Sequence, residues 1–485
     1  MREQRNTIRR ERLRASIPAV WGLAACVALH ASAGTAQTVE DAAIEVETVA
    51  TGLFQPTTMG FLGPDDILVL EKATGIVQRI HQGMVDPVLD VAVHYRSERG
   101  LLGIAVDSGQ PPSVFLYYTE SSTGSDTNSS LSAPAGNRVY RYDWNPSTEV
   151  LENPQLILDL PATPGPNHDG GIVLLGPTGE GSVGDGSLLY AVIGDLNRNG
   201  QLENFPTGAA PDDTAVVLRV EQDGSPAPGN PFSPYCSSST GTTCTDDLDC
   251  PAAETCVTEV ARYFAYGVRN SYGMALDPVT GSLWDTENGP GSYDEINRLA
   301  PGANSGWEPI MGRDSRDPQD PGDLFDLPGA GSTYSDPEFS WLDTVAPTAI
   351  VFPIGSGLGS AYDDVALVGD NNTGQIYALP LDAPRNAFDF SDPNLASLQD
   401  LVADDQAEAN LLRFGSGFGV VTDLEIGPDG DLYVVSLSQG AIYRLPEPGV
   451  ILQLVAGGIG LAFLNKRRLR EKRRSTNVLA RFKSH

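Results

Sequence analysis

The chain has 485 residues, with 31 Lys and Arg against 63 Asp and Glu, a formal net charge of −32. Such an acidic surface repels nucleic acid and anionic lipid, so no nucleic-acid partner is expected. Gly (52) and Pro (36) are abundant and helical periodicity is scarce, which excludes a helical bundle.

The first 36 residues read as a signal peptide. Six arginines fall within residues 1–14, followed by the apolar run "IPAVWGLAACVAL" and the small residues "ASAGTAQ". A cut after Ala36 suits a signal peptidase, and the apolar run is short for a membrane span. A twin-arginine variant ("RRERLR") and a lipoprotein box ("LAAC") stay open. Export to the periplasm, outer surface or extracellular matrix is expected.

Residues 37–445 read as one all-β domain. Short runs rich in Val, Ile, Leu and Tyr recur between Gly, Asp, Asn and Pro: "DILVLEK", "VFLYYTE", "NRVYRYDW", "LLYAVIGD", "TAVVLRVE", "GSLWDTEN", "DVALVGD", "GQIYALPL", "DLYVVSLS" and "AIYRLP". "GPDDILVLEKATGIVQRI" near the start resembles "GPDGDLYVVSLSQGAIYRL" near the end, and "SAYDDVALVGDNNTGQIYAL" has the same form. Units of turn, strand, turn, strand point to a β-propeller with six blades and long inter-blade loops, its ends sharing one blade. A pair of β-sandwiches is the alternative.

Within this domain, Cys236, Cys244, Cys250 and Cys256 crowd into an insertion at 233–258. Cys26 leaves with the signal peptide, and an even count in an oxidising compartment implies two disulfides with three pairings open. A zinc site is the alternative, though the spacings are not CxxC and no His is near.

Propeller chemistry sits on the loops at one mouth of the central channel. In "GPNHDGG" (165–171), His168 is a candidate base: neutral imidazole accepts a hydroxyl proton near neutral pH, and Asp169 or a distant carboxylate could orient it. His81 and His94 read as packing or surface residues. In "GDLNRNG", Asp195, Asn197, Asn199 and Gly200 match the first half of a calcium loop, but Pro206 occupies the twelfth position; partial Ca²⁺ ligation stays open. Arg269 in "YGVRN" offers a donor fork for a carboxylate or an oxyanion, or bridges blades as a buried arginine. In "TENGPGSYDE", the carbonyls of Gly289 and Pro290 could face a hard cation, with Asp294 and Glu295 nearby.

The C-terminal end carries "PEPG" at 446–449, fifteen mostly apolar residues and then "NKRRLREKRR". It resembles the PEP-CTERM sorting signal over 446–474, followed by a basic tail at 475–485. That resemblance implies exosortase-type sorting machinery as partner and membrane attachment before processing; a plain C-terminal anchor is the alternative. Residues 1–36 and 449–485 hold 15 of the 31 basic and 3 of the 63 acidic residues. Residues 37–448 keep 16 and 60, net −44, which suits bound Ca²⁺, high salt or solubility.

The order "SERGLLGIAVD", "NHDGG", "YAVIGDLNRNGQ", "YGVRNSYGMALDPVTG", "TENGPGSYDEINRLAPGANSGW", "GPDGDLYVV" resembles the soluble glucose/sorbosone dehydrogenase family, which includes PQQ-dependent aldose sugar dehydrogenases. The resemblance spans about residues 47–445. It implies a six-bladed propeller that oxidises a small-molecule sugar by hydride transfer to PQQ with Ca²⁺. It further implies that His168 is the base, Asp195 its support, Arg269 the group that polarises the quinone oxygen, and Asn270 a cofactor contact. Gly289 and Pro290 would hold Ca²⁺, and Glu98 would lie near the sugar. The sequence departs from the family where basic residues clamp the PQQ carboxylates: Asn371, Asn372 and Thr373 stand at one such place, and Gly419, Val420, Val421 and Thr422 at another. Arg413 is the nearest substitute. A non-catalytic propeller that binds sugar, matrix polymer or a protein is therefore the second functional expectation.

Overall fold

The computed structural model describes residues 36–177, 188–316, 322, 324–328 and 333–446. The signal peptide (1–36) but for Ala36, the PEP-CTERM segment (446–474) but for Pro446, and the basic tail (475–485) lie outside the described residues. Strand accounts for 43% of the structure and helix for 6%, so the chain is all-β. Each apolar run picked out above is a strand, because Val, Ile and Tyr pack well on a pleated, two-sided buried surface. "LLYAVI" at Leu188–Ile193 is buried at all six positions, as a strand covered on both faces must be.

The strands assemble in chain order into antiparallel meanders. Pro56–Gly63, Asp66–Glu71, Ile76–His81 and Met84–Asp90 form the first sheet. Leu101–Asp107, Ser113–Ser121, Pro134–Asn145 and Val150–Leu160 form the second. The third runs Val173–Gly176, Leu188–Ile193, Val216–Glu221, Tyr263–Tyr266, and the fourth Ser271–Leu276, Leu283–Glu287, Asp294–Leu299, Phe339–Trp341. The fifth holds Pro347–Val351, Val365–Asp370, Gln375–Pro380 and Arg413–Ser416, with Thr38–Val39 at its edge. The last holds Val421–Ile426, Leu432–Ser436 and Ala441–Leu445, completed by Glu47–Thr51 from the start of the chain.

The first strand of each sheet touches the first strand of the next, and Val421–Ile426 returns to Pro56–Gly63. The ring is therefore closed, and a channel runs down its middle. Thr58, Gly103, Val173, Gly273, Thr348 and Asp423, one from each first strand, line a cavity of ≈ 50 Å³ there. A Cβ on Gly103 would sit 2.0 Å from the Gly171 carbonyl oxygen; only glycine lets the strands approach so closely. The pairing of Glu47–Thr51 with Ala441–Leu445 explains the echo between the two ends of the domain: they build one sheet, which ties the start of the chain to its end and closes the ring.

The architecture is a β-propeller. Counted as regular blades there are five, one fewer than the six expected from the sequence. Three sheets depart from a plain four-stranded meander: the third is extended by short parallel strands at Ala303–Asn304 and Thr333–Tyr334, the fourth by Val402–Ala403 and the fifth by Thr38–Val39.

The cysteine-rich insertion carries disulfides Cys236–Cys250 and Cys244–Cys256. This selects one of three pairings and removes the zinc alternative, since all four sulfurs are consumed. A two-stranded ribbon, Tyr235–Cys236 with Cys256–Val257, spans its base. Phe232, Tyr235, Val257 and Val260 join Tyr263 and Tyr266 in one apolar cluster, so the insertion is part of the core of the third sheet.

Candidate active site

His168 lies in the loop that leaves Val150–Leu160. Its backbone is left-handed (φ 62°), with Gly170 (φ 61°) and Gly171 (φ 117°) behind it. A non-glycine residue in this region is strained and persists where its surroundings hold it. Here the Glu98 carboxylate accepts the His168 backbone N–H at 2.5 Å and the Asn270 side-chain amide at 3.3 Å.

The His168 side chain is buried, and its Nδ1 lies 2.6 Å from Asp195 Oδ1. The carboxylate fixes the tautomer: Nδ1–H donates, and Nε2 keeps its lone pair. Nε2 has no hydrogen-bond partner among the described residues. Asp195 is itself held by the Asn197 backbone N–H (2.7 Å) and by Trp307 Nε1–H (2.8 Å). Asp195 follows the strand Leu188–Ile193, and its own N–H donates to the Arg269 carbonyl at 3.0 Å. Gly194 makes that approach possible. A Cβ there would lie 2.4 Å from the Arg269 oxygen and 2.6 Å from the His168 oxygen.

Arg269 donates through Nη1 to the Asn288 carbonyl (2.6 Å), and its guanidinium stacks 5.1 Å from the centre of the Trp307 ring. Arg269 Nε, Asn270 Oδ1, Asn288 Oδ1, Glu287 Oε2 and Ser305 Oγ are buried without a hydrogen-bond partner among the described residues. Buried polar groups are normally satisfied, so this concentration of orphans beside one loop is what a missing polar ligand would leave. In the next turn, Gly289 N–H binds Asp294 Oδ1 at 2.9 Å while Asp294 Oδ2 takes the Ala346 N–H at 2.6 Å. Asp294 therefore shapes the loop that carries Gly289 and Pro290, and Glu295 accepts the Gly312 N–H.

Glu98, His168, Asp195, Arg269, Asn270 and the loop at Asn288–Gly289 thus form one hydrogen-bonded chain. Three expectations change. Asp169 does not orient His168: it points away into the core, where Asn137 Nδ2 lies 3.0 Å and Arg99 Nε 3.6 Å from its Oδ1. Burial pushes the Asp169 carboxyl up to about 6, opposed by the Asn137 bond and the Arg99 charge. The half calcium loop at 195–200 is occupied differently, because its first carboxylate is committed to His168 and Trp307. Arg413, the nearest basic residue to 419–422, sits on an outer strand with its Nε committed to Glu40 at 2.7 Å. Asn371, Asn372 and Thr373 lie on a turn, with Asn371 N–H on the Ala346 carbonyl (2.9 Å) and Asn372 Nδ2 on the Thr344 carbonyl (3.1 Å). Val420 N–H is held by Ser438 Oγ at 2.8 Å and Thr422 Oγ1 donates to the Pro56 carbonyl at 3.2 Å.

Sequence reasoning missed Trp307 and Lys72, and it read Asn197 as part of a calcium loop where its backbone N–H instead holds Asp195. The Lys72 ammonium donates to the Ser97 carbonyl at 2.6 Å. Burial brings it down to about 8, opposed by the charges of Asp169 and Glu98. His94 is buried with Nε2 2.9 Å from the Ser132 carbonyl, and His81 lies on the first sheet; neither joins the site.

A sequence model of the Glucose / Sorbosone dehydrogenase family matches residues 53–444. The chain belongs to this family. Its relatives include quinoprotein glucose dehydrogenase B of Acinetobacter calcoaceticus, 26% identical over 410 residues, which span 79% of this chain and 73% of that protein. Aldose sugar dehydrogenase YliI of Escherichia coli is 25% identical over 275 residues, 55% of this chain and 62% of that protein. The PQQ-bound aldose sugar dehydrogenase of Streptomyces coelicolor shares the fold with a TM-score of 0.56 at 24% identity, over 85% of this chain and 99% of that one. At family level these relatives support an oxidoreductase of the quinoprotein sugar dehydrogenase kind.

Proposed function

We propose that the protein is an exported sugar dehydrogenase, built as a six-bladed propeller, that oxidises an aldose or the reducing end of an oligosaccharide with PQQ and Ca²⁺. The observation that carries this reading is His168 Nδ1 locked on Asp195 beside Arg269 and its unpartnered neighbours. His168 Nε2 removes the proton of the anomeric hydroxyl. Asp195 stabilises the imidazolium so formed, while Trp307 and Asn197 keep that carboxylate in place. Glu98 fixes the backbone of the histidine loop and faces the sugar. PQQ, when bound, supplies the electrophilic carbon that takes the hydride.

The residues fit the quinone end of that cofactor. Arg269 offers a buried donor, Nε–H, that lacks a partner among the described residues and suits a quinone oxygen, Asn270 Oδ1 offers an acceptor for a donor on the same ligand, and the carbonyls of Gly289 and Pro290 would hold Ca²⁺. The carboxylate end would meet neutral groups at 371–373 and 419–422. That feature favours a second reading, a propeller that binds sugar without oxidising it. Reconstitution separates them. The protein titrated with PQQ and Ca²⁺ is expected to acquire a saturable cofactor absorption band and to reduce a dye with an aldose. Neither band nor dye reduction would leave the binding reading alone.

A further inference from the structure

Trp307 has two duties at the site. Its Nε1–H holds Asp195 Oδ2 at 2.8 Å, and its ring stacks 5.1 Å from the Arg269 guanidinium. Yet Trp307 lies on a turn, where no strand ladder fixes the ring. Its backbone is gripped from elsewhere instead. The Trp307 N–H donates to the Gly267 carbonyl at 3.1 Å, its carbonyl accepts from Asn204 Nδ2 at 2.7 Å, and the Glu308 N–H donates to the Glu203 carbonyl at 2.9 Å. Two of these bonds come from the helical turn Gln201–Glu203 and the residue that ends it, Asn204. We propose that Asn204 is a positioning residue of the site: it clasps the Trp307 backbone and so aims the indole at Asp195 and Arg269. Its service to proton abstraction rests on the function proposed above; the clasp does not.

The clasp is fully made and fully buried. Asn204 is 3% exposed, and its backbone is left-handed (φ 63°), a conformation that asparagine tolerates better than most residues. Its amide uses every donor and acceptor it has. Besides the Trp307 carbonyl, Nδ2 reaches Asn304 Oδ1 at 3.1 Å, while Oδ1 accepts Asn304 Nδ2 at 2.7 Å and the Phe325 N–H at 3.0 Å. Asn304 Oδ1 also takes the Gly306 N–H at 3.0 Å, one residue before the tryptophan. Glu203 Oε2 accepts the Gly200 N–H at 2.7 Å and closes the turn that presents Asn204. Such a network gives one arrangement rather than several. The consequence for the site follows from the two duties of the ring. If the Trp307 backbone shifts, the support of the base and the packing of Arg269 are disturbed together. A displacement of about 1 Å at a remote support can cost about 10²-fold in rate. A clasp that only stabilised the third sheet would lower stability and leave the indole bond as it is.

The test compares Asn204→Gly, whose backbone suits the left-handed position, and Asn204→Asp, which keeps the shape and removes the donor, with Asn230→Ala. Asn230 makes a comparable clasp away from the site: its Nδ2 donates to the Arg219 and Ala261 carbonyls at 2.8 and 2.7 Å, and its Oδ1 accepts Arg219 Nε at 2.7 Å. Proton magnetic resonance of the cofactor-free protein follows two N–H signals, Trp307 Nε1–H and His168 Nδ1–H, assigned by their loss in Trp307→Phe and His168→Ala. In both Asn204 variants these protons should exchange with solvent about tenfold faster than in wild type, and in Asn230→Ala within about twofold of it. In the dye assay with PQQ and Ca²⁺, the Asn204 variants should lose about tenfold in kcat with the aldose KM unchanged, and Asn230→Ala should lose neither. Exchange of the two protons at the wild-type rate in both Asn204 variants, or acceleration equal to that in Asn230→Ala, overturns the positioning role. Faster exchange in a protein whose wild type oxidises no sugar keeps the clasp and removes the dehydrogenase reading instead.

Discussion

Replacing Asp195 with Asn keeps the shape of the side chain, removes its charge and leaves its three donors with too few acceptors. Those donors converge on the carboxylate: His168 Nδ1 at 2.6 Å and Asn197 N–H at 2.7 Å on Oδ1, and Trp307 Nε1–H at 2.8 Å on Oδ2. An asparagine has one acceptor atom for the two positions. If its oxygen stays toward His168, its NH₂ faces the Trp307 N–H, donor against donor. If it flips, the NH₂ faces the Asn197 N–H and forces His168 to carry its proton on Nε2. That tautomer cannot accept a hydroxyl proton. One bond is lost outright and the charge assistance to the others goes with it, so about 2–4 kcal/mol of stability should be lost. For a domain of about 400 residues this lowers Tm by about 2–5 °C. The rate of sugar-dependent dye reduction should fall about 10²- to 10⁴-fold, with the saturating PQQ spectrum retained. Calorimetry for Tm and stopped-flow dye reduction for the rate read the two effects separately. A variant with wild-type Tm and wild-type kcat would refute the idea that Asp195 sets the state of His168.

Two further outcomes are expected from the packing. Gly194→Ala places a Cβ 2.4 Å from the Arg269 carbonyl and 2.6 Å from that of His168. It should cost about 1–3 kcal/mol and reduce kcat more than ordinary overpacking elsewhere, which unfolding and kinetic measurements on the same preparation would check. Burial raises Asp169 and Asp213 to about 6 and Glu203 to about 8, with Asp195 adding to the last. The folded state then holds protons that the unfolded chain has released between about pH 4 and pH 8. These groups therefore lower stability as pH rises through that window, and their penalty is complete above it. The contribution should flatten in Asp169→Asn, read as Tm from pH 5 to pH 8; an unchanged slope would contradict it.

The outer and middle strands were legible because their Val, Ile and Tyr runs are long and bounded by turn residues. The first strands of the sheets were harder to see: "PTTMGFLG" and "SYGMAL" mix Thr, Ser and Gly, since strands at the centre of the ring approach too closely for bulky side chains. The likeness between the ends of the domain gave the closure, which Thr48 opposite Tyr443 now accounts for. At the site, His168, Asp195 and Arg269 stood out because Gly, Asp and Asn punctuate their loops, while Asn270 and the pairing of Asp195 with the histidine came from the family resemblance. Trp307 did not, because its bond to Asp195 spans 112 residues and a tryptophan carries no local sign of donating to a carboxylate. Lys72 looked like the end of an ordinary strand. Its role emerges only when Ser97, Glu98 and Asp169 are brought around it. The choice between Asp169 and Asp195 as partner of the histidine was equally a matter of side-chain direction, which adjacency in sequence does not specify.

The central claim is that His168 Nε2 takes the hydroxyl proton. The most direct test is His168→Ala in protein loaded with PQQ and Ca²⁺, monitoring dye-linked oxidation of an aldose beside the cofactor absorption band. The account predicts an unchanged band and fold with kcat reduced by about 10²- to 10⁴-fold. Wild-type turnover in the substituted protein would contradict it.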